Sequence, residues 1–180
     1  MNNEFKYILV CGDIHRQFDV IPNFIRDHKL NNCAIIVAGD FGIGFQEEKR
    51  EAKVINYLNN RLNHTNSTIF VVRGNHDNPK YFLDENYNTK YIKFVKDYTV
   101  LNLNNNNILC VGGAISVDRT SRAAYQFGKG SDWWKNEVIN YDYDKLKELK
   151  NIDYVITHSS PHFSYPITKE GLYYWVDRDI

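Results

Sequence analysis

The sequence predicts an α/β fold, and three observations support that prediction. Short apolar runs rich in β-branched residues end in Gly, Ser or a polar turn, which is typical of buried strands. Segments with helical spacing separate the first three runs, and such alternation favours a layered, parallel sheet. The 180 residues suffice for one core and contain no linker or repeat, so we predict a single domain over residues 1–180.

Four apolar runs are the predicted buried strands, and the first three are expected to pair in parallel. They are "KYILVCG" (6–12), "CAIIVAG" (33–39), "TIFVVRG" (68–74) and "YVITHS" (154–159).

Two intervening segments have apolar residues at helical spacing. In "FDVIPNFIRDHKL" the predicted apolar face contains Val20, Phe24 and Ile25. In "QEEKREAKVINYLNNRL" the predicted stripe is Ala52, Ile55, Tyr57, Leu58 and Leu62.

Residues 91–113 have a different pattern. The runs "YIKFV", "YTVLNL" and "NILCVGG" surround an Asn-rich tip, which predicts antiparallel strands and a hairpin. A further helix is predicted from about Asp144 to Leu149.

Composition excludes some classes of function. With 22 basic and 22 acidic residues the net charge is zero, so we expect no broad binding to nucleic-acid backbones; nucleic acid is expected only as a substrate.

Cys11, Cys33 and Cys110 lie in apolar runs without a C-x-x-C pair, which favours a reducing, cytoplasmic location. No run is apolar enough to span a membrane, and the first residues lack a signal-peptide pattern.

Polar residues capable of metal chemistry follow each of the four strands. Because the carboxyl ends of parallel strands meet at one edge of a sheet, we expect these side chains to converge there. The residues are Asp13, His15, Asp40, Asn75, His76, Asp77 and His158.

Carboxylate, imidazole and amide ligands suit divalent metals such as Mn, Fe or Zn. Two ions about 3.5–4 Å apart would lower the pKa of a water between them, producing a hydroxide able to attack phosphorus. A neighbouring histidine can protonate the leaving oxygen, and a carboxylate can orient that histidine.

Four motifs in this order, "GDIH", "GDFGIG", "GNHD" and "THSSP", resemble those of the calcineurin-like metallophosphoesterase superfamily over residues 6–162. The resemblance implies a four-layer α/β/β/α sandwich of two mixed sheets flanked by helices, with a centre of two divalent metal ions. It implies one metal bound by Asp13 and His15, a bridging Asp40, a second metal bound by Asn75 and His158, and His76 as the proton donor with Asp77 behind it.

Each of these residues also has an ordinary structural interpretation. The alternatives are a polar turn for Asp13 and His15, caps for Asp40 and Asn75, a hydrogen-bonded pair for His76 and Asp77, and a buried histidine for His158.

The segment "GGAISVDRTSRAAYQFGKGSDWWKNE" resembles one in bacterial and phage-type members of the superfamily. Its Arg119 and Arg122 either contact a substrate phosphate or form surface salt bridges. The patterns "GD-x-V-D-R-G" and "GNHE" of the protein Ser/Thr phosphatases are not present, so that substrate is not implied.

Superfamily members normally complete the site with a downstream Gly-His-x-His, whereas no His follows His162 here. The expectation is a truncated domain, ligands from another chain, or a site that works without them. We expect weak metal retention and a sheet edge that pairs with a second copy or a partner chain.

The predicted function is metal-dependent hydrolysis of a phosphomonoester or phosphodiester by a metal-bridging hydroxide. The alternative is a scaffold that keeps the fold, has weakened catalysis and binds a protein partner.

Overall fold

A computed structural model describes residues 4–124 and 133–161. Within them, four strands form a parallel sheet in the order β1-β2-β3-β4. The strands are β1 (Tyr7–Cys11), β2 (Cys33–Ala38), β3 (Thr68–Val72) and β4 (Ile92–Phe94).

The register of this sheet determines where the candidate site residues lie. Leu9, Ile35, Ile69 and Ile92 form one row across the four strands. Because all four strands run in the same direction, the loops after them open at the same edge. The prediction of a parallel sheet is therefore confirmed for the first three strands.

The direction predicted for "YIKFV" is wrong, because β4 is parallel to β3 and not part of an antiparallel hairpin. The connection from β3 passes through helix α3 (Lys80–Leu83) and a short 3₁₀ helix (Glu85–Tyr87). A crossover of this length returns the chain to the same end of the sheet, which is the requirement for parallel pairing.

A second sheet contains the predicted hairpin. Strands β5 (Thr99–Leu103) and β6 (Asn106–Val111) are antiparallel, and β7 (Tyr154–Thr157) pairs in parallel with β6. The turn residues Asn104 and Asn105 have φ of 51° and 62°, a left-handed conformation that asparagine tolerates.

The segment "YVITHS" contains a strand as predicted, but the prediction that this strand is buried is wrong. Tyr154 and Val155 are 59% and 57% exposed. The reason is position: β7 is the last strand of its sheet in the described chain, so neighbours cover it on one side only.

Two helices cover one face of the first sheet: α1 (Val20–Asp27) and α2 (Glu48–Asn63). Apolar residues of both helices pack on residues of the strands in one core cluster. The side chains that the helices contribute are Ile21, Ile25, Ile55, Leu58 and Leu62.

The predicted helix faces need correction. In α1, Ile25 is buried as predicted, but Val20 and Phe24 are exposed and Ile21 is the second buried residue of the stripe. In α2, Ala52 and Tyr57 face solvent. Positions four residues apart share a face of a helix, so a shift of one residue in the starting point changes which pair is buried.

The other face of the first sheet packs against the second sheet. This core contains Ile36 and Phe70 from the first sheet with Leu103, Ile108 and Cys110 from the second. The α/β fold with two sheets flanked by helices is thus confirmed, whereas the complete four-layer arrangement stays a prediction.

Two further short helices are present, α4 (Arg119–Ala124) and α5 (Tyr143–Glu148). Helix α5 corresponds to the helix predicted at Asp144–Leu149, and Asp142 caps it by accepting a hydrogen bond from the Lys145 N–H at 3.0 Å. Among the described residues, none of the helices combines the length and the apolar character that crossing a membrane requires.

Candidate metal centre

The loop after β1 carries Asp13 and His15 to the edge of the sheet. Both residues have positive φ, 29° and 40°, so the chain turns sharply there. The His15 N–H donates to the carbonyl oxygen of Asp40 at 2.9 Å, and this bond holds the loop against the one that follows β2.

Asp40 lies at the centre of the site. Its carboxylate is buried, with Oδ2 3.5 Å from His15 Nε2 and Oδ1 3.3 Å from His158 Nε2. Oδ1 also accepts a hydrogen bond from the His76 N–H at 2.8 Å. Burial raises the pKa of Asp40, but the bonds from His158 and His76 outweigh it and the pKa is lowered. The two oxygens thus face two different sets of ligands.

The first set is Asp13, His15 and Asp40. One ligand atom from each lies within 4.8 Å of the others, so the three could hold a metal ion. Asp13 and His15 are exposed, which leaves this part of the site open to solvent. Two carboxylates and an imidazole suit a divalent metal of borderline hardness.

The second set depends on a residue from the other sheet. His158 follows β7, and its Nδ1–H donates to the Ala38 carbonyl oxygen at 2.9 Å. That bond leaves Nε2 as the lone-pair nitrogen of the neutral ring, 3.0 Å from Asn75 Oδ1. Gly39, at φ 93°, makes room for the ring, because a Cβ there would overlap His158.

The protonation of His158 predicts a pH dependence. Burial lowers its pKa, but the hydrogen bond and attraction of Asp40 outweigh burial and raise the pKa to about 9. We expect the metal-free protein to keep this contribution to stability below pH 6.5 and to lose it as pH rises through 9. Metal requires the neutral ring, so metal affinity should rise over the same interval.

Thermal melting of metal-free protein between pH 6 and 10, with metal titrations at the same values, tests this expectation. His158→Gln should flatten both profiles. A wild-type melting temperature that does not change across the interval would contradict it.

Asn75, the predicted amide ligand, lies beside His158, and a serine orients it. Its Nδ2 donates to Ser116 Oγ at 3.0 Å, which directs Oδ1 towards His158. Ser116 was not among the residues predicted from the sequence. In the sequence, Ser116 is distinguished only by its position directly after "GGAI". Nothing in that pattern relates Ser116 to Asn75.

His76 lies beside the first set. Its ring is 5.0 Å from the His15 ring, edge to face, and 6.2 Å from the Phe45 ring, stacked. Burial lowers the pKa of His76 despite the attraction of Asp40. Phe45, which the sequence interpretation missed, therefore covers one side of the predicted proton donor.

Asp77 has different partners from those predicted. Its Oδ1 accepts from the N–H groups of Gly42 and Ile43 at 2.7 and 3.1 Å, and its Oδ2 from those of Phe41 and Gly74 at 3.2 and 2.9 Å. Burial raises the pKa of this carboxyl, and the N–H donors oppose it. Asp77 therefore joins two loops of the site and does not lie behind the His76 ring as expected.

Comparison with known proteins decides the family. The family model described as calcineurin-like phosphoesterase matches residues 6–179. The chain belongs to the calcineurin-like phosphoesterase family. Separate searches found no match among curated proteins and none among solved structures.

Membership gives the geometry a chemical context. Phosphoesterases of this family hydrolyse phosphate esters with metal, generally at a centre of two ions. Asp13, His15 and Asp40 fit that requirement by donor type and by proximity. The roles of the individual residues remain predictions.

The two arginines predicted to contact phosphate or form salt bridges, Arg119 and Arg122, differ in environment. Arg122 is buried, donates to Ser116 Oγ at 2.6 Å, and lies 3.7 Å from carboxylate oxygens of Asp118 and of Glu137. It thus forms ion pairs, of which the one with Glu137 is buried, whereas the Asp118 side chain is 47% exposed. Arg119 is half-buried, and the described part of the chain records no hydrogen bond or ion pair for its side chain. Phosphate contact stays a prediction for both.

Some predictions fall outside the described residues. They concern residues 125–132 of the phage-type segment and residues 162–180, where the sequence lacks the Gly-His-x-His of the superfamily.

Proposed function

We propose that this phosphoesterase hydrolyses a phosphomonoester or phosphodiester at a centre of two divalent ions. One observation carries the proposal: the buried Asp40 carboxylate directs Oδ2 to His15 and Oδ1 to His158, whose Nε2 also lies 3.0 Å from Asn75 Oδ1. A carboxylate between two ligand sets is the arrangement that a bridged metal pair needs. The first ion would be held by Asp13, His15 and Asp40, and the second by Asp40, Asn75 and His158.

The donor atoms favour Mn, Fe or Zn, because imidazole nitrogen and carboxylate oxygen occur together in both sets. When bound, the two ions would lower the pKa of a water between them to supply hydroxide, and would neutralise the phosphoryl oxygens.

The chain's own residues have two tasks in this proposal. Ser116 orients Asn75 and the Ala38 carbonyl orients His158, so that Asn75 Oδ1 and His158 Nε2 lie 3.0 Å apart, with His158 Nε2 beside Asp40. His76 presents an imidazole beside the first set, where the negative charge of a phosphate would raise its pKa and favour proton donation to the leaving oxygen.

The test is metal-dependent hydrolysis. Protein stripped with a chelator is reloaded separately with Mn, Fe or Zn and assayed with nitrophenyl phosphate and bis-nitrophenyl phosphate. We expect activity only after metal is restored, and the ratio of the two rates distinguishes monoesterase from diesterase. Bound metal without hydrolysis of either probe, or of a broader panel of phosphate esters, would overturn the proposal in favour of a scaffold.

His76→Ala is expected to lower turnover by about 10²–10⁴-fold, since that is the usual contribution of a positioned proton donor. Metal content should not change, because no ligand atom is removed. Turnover and bound metal per chain are measured on the same preparation. His28→Ala is the matched control: His28 lies at the end of α1, stacked on Phe24, and the variant should keep wild-type turnover. Full activity of His76→Ala would remove the proposed role.

Location and partners are proposals of the same kind. The free thiols of Cys11, Cys33 and Cys110 support a reducing compartment, and we propose the cytoplasm. A second copy or a partner chain at an exposed sheet edge is tested by the mass of the protein in solution.

A further inference from the structure

The backbone that presents His15 is unfavourable by itself. His15 and Arg16 have φ of 40° and 65°, although neither is glycine. Side chains with a Cβ avoid this left-handed region, and such conformations persist only where surrounding contacts impose them. Some contact must therefore hold the end of this loop.

The Arg16 side chain makes such a contact. Its Nη1 donates to the Gly42 carbonyl oxygen at 2.7 Å and to Glu51 Oε1 at 2.8 Å. Its N–H donates to the Phe41 carbonyl oxygen at 3.1 Å. Gly42 lies so close that a Cβ there would be 2.7 Å from both Arg16 Cγ and Arg16 N. One residue thus connects the His15 loop, the Asp40 loop and helix α2.

Glu51 is an unusual partner. It is fully buried in the first turn of α2, and Oε1 also accepts from the Gln46 N–H at 2.8 Å. Among the described residues, Oε2 has no hydrogen-bond partner. Burial of a carboxylate with one oxygen unsatisfied is unfavourable, and a buried ion pair often stabilises less than apolar residues of the same size. Stability alone therefore gives no reason for this pair.

We propose that Arg16 and Glu51 are positioning residues for the first metal. The pair holds His15 Nε2 at 3.5 Å from Asp40 Oδ2, so that Asp13, His15 and Asp40 keep a common centre. Neither residue touches metal or substrate in this role. The inference rests on the proposed function, because it assumes a metal at the first set. It concerns how tightly Asp13, His15 and Asp40 bind that metal.

The decisive variant is the double substitution Arg16→Met with Glu51→Gln, which removes both charges and approximately keeps both volumes. Arg16→Met alone leaves Glu51 uncompensated and could unfold the chain, so it is not used. We expect the double variant to melt at or above the wild-type temperature without metal. Its affinity for Mn or Zn at one of the two sites should fall about 10–100-fold, the usual effect of losing an outer contact to a metal ligand.

The single variant Arg16→Lys should bind metal more tightly than the double variant and less tightly than wild type. It keeps a cation opposite Glu51, but its ammonium group offers a single point of contact in place of the guanidinium fork. Arg61→Met is the matched control: Arg61 also links α2 to the loop before α1, through Asp19 at 3.3 Å, but contacts no residue of either ligand set. Its metal affinity should equal that of wild type.

Calorimetric titration of metal into stripped protein gives the affinity without any substrate. Wild-type affinity in a folded double variant would overturn the inference, as would an equal loss in Arg61→Met. If wild type binds metal but hydrolyses no ester, only the proposed function fails. A wild-type protein that binds no metal would overturn both.

Discussion

Asp40→Asn is expected to lower turnover by about a hundredfold or more and to reduce retention of both metals. A lost contact behind a metal ligand already costs about 10–100-fold, and a lost charge shared by two ligand sets should cost at least as much. Asn preserves the size of the side chain, and its amide oxygen can still accept from the His76 N–H. The loss of turnover and of metal would therefore reflect the missing negative charge of Asp40 and the weaker metal binding of an amide. Metal per chain after desalting and turnover at saturating metal measure the two effects.

Asp142→Asn is the matched control for this variant. Asp142 also accepts a backbone N–H, but it caps α5 and has no contact with either ligand set. It should keep wild-type metal content and turnover. Activity that appears with metal in wild type and disappears in Asp40→Asn favours the enzyme over the scaffold. Unchanged turnover in Asp40→Asn would contradict the bridging role.

Asp77→Ala is expected to destabilise the protein by about 4 kcal/mol or more, enough to unfold many domains of this size. The variant would leave the N–H groups of Phe41, Gly42, Ile43 and Gly74 without an acceptor. Each buried donor left unpaired costs about 1–3 kcal/mol. Urea unfolding of wild type and variant measures the free energy of unfolding.

Asp84→Ala is the control for Asp77→Ala, because it removes an aspartate that accepts a backbone hydrogen bond at an exposed capping position. Asp84 accepts from the single backbone N–H of Asn86 at 2.9 Å at an exposed position, so its loss should cost about 1 kcal/mol. If Asp77→Ala were as stable as Asp84→Ala but inactive, Asp77 would act in catalysis and not in joining the loops. Asp77→Asn, which keeps the volume, should lie between wild type and Asp77→Ala in stability.

The sequence was sufficient to predict where the polar residues gather, because strand ends are a local property. An apolar run that ends in Gly-Asp or Gly-Asn predicts a side chain at the edge of the sheet. Parallel pairing of β1, β2 and β3 then brings Asp13, Asp40 and Asn75 to one edge.

What the sequence could not predict depends on contacts between distant segments. "GNHD" suggests that Asp77 serves the neighbouring His76, yet its acceptors are saturated by N–H groups about 35 positions away. Ser116 has no pattern that connects it to Asn75, 41 positions earlier. The direction of β4 likewise follows from the path of its crossover and not from its own alternation.

His158 also has a consequence for the way in which the protein is made. In the proposed centre, every ligand of the first ion has been synthesised once the ribosome has added Asp40, whereas His158, a proposed ligand of the second ion, hydrogen-bonds a residue 120 positions before it. Chains begin to fold from the N-terminus during synthesis. A nascent chain can therefore carry a complete first ligand set while the strand before His158 is still unmade. In the proposed centre the second ion would therefore bind later, and the metals available at these two times would determine whether one molecule holds two ions of the same element.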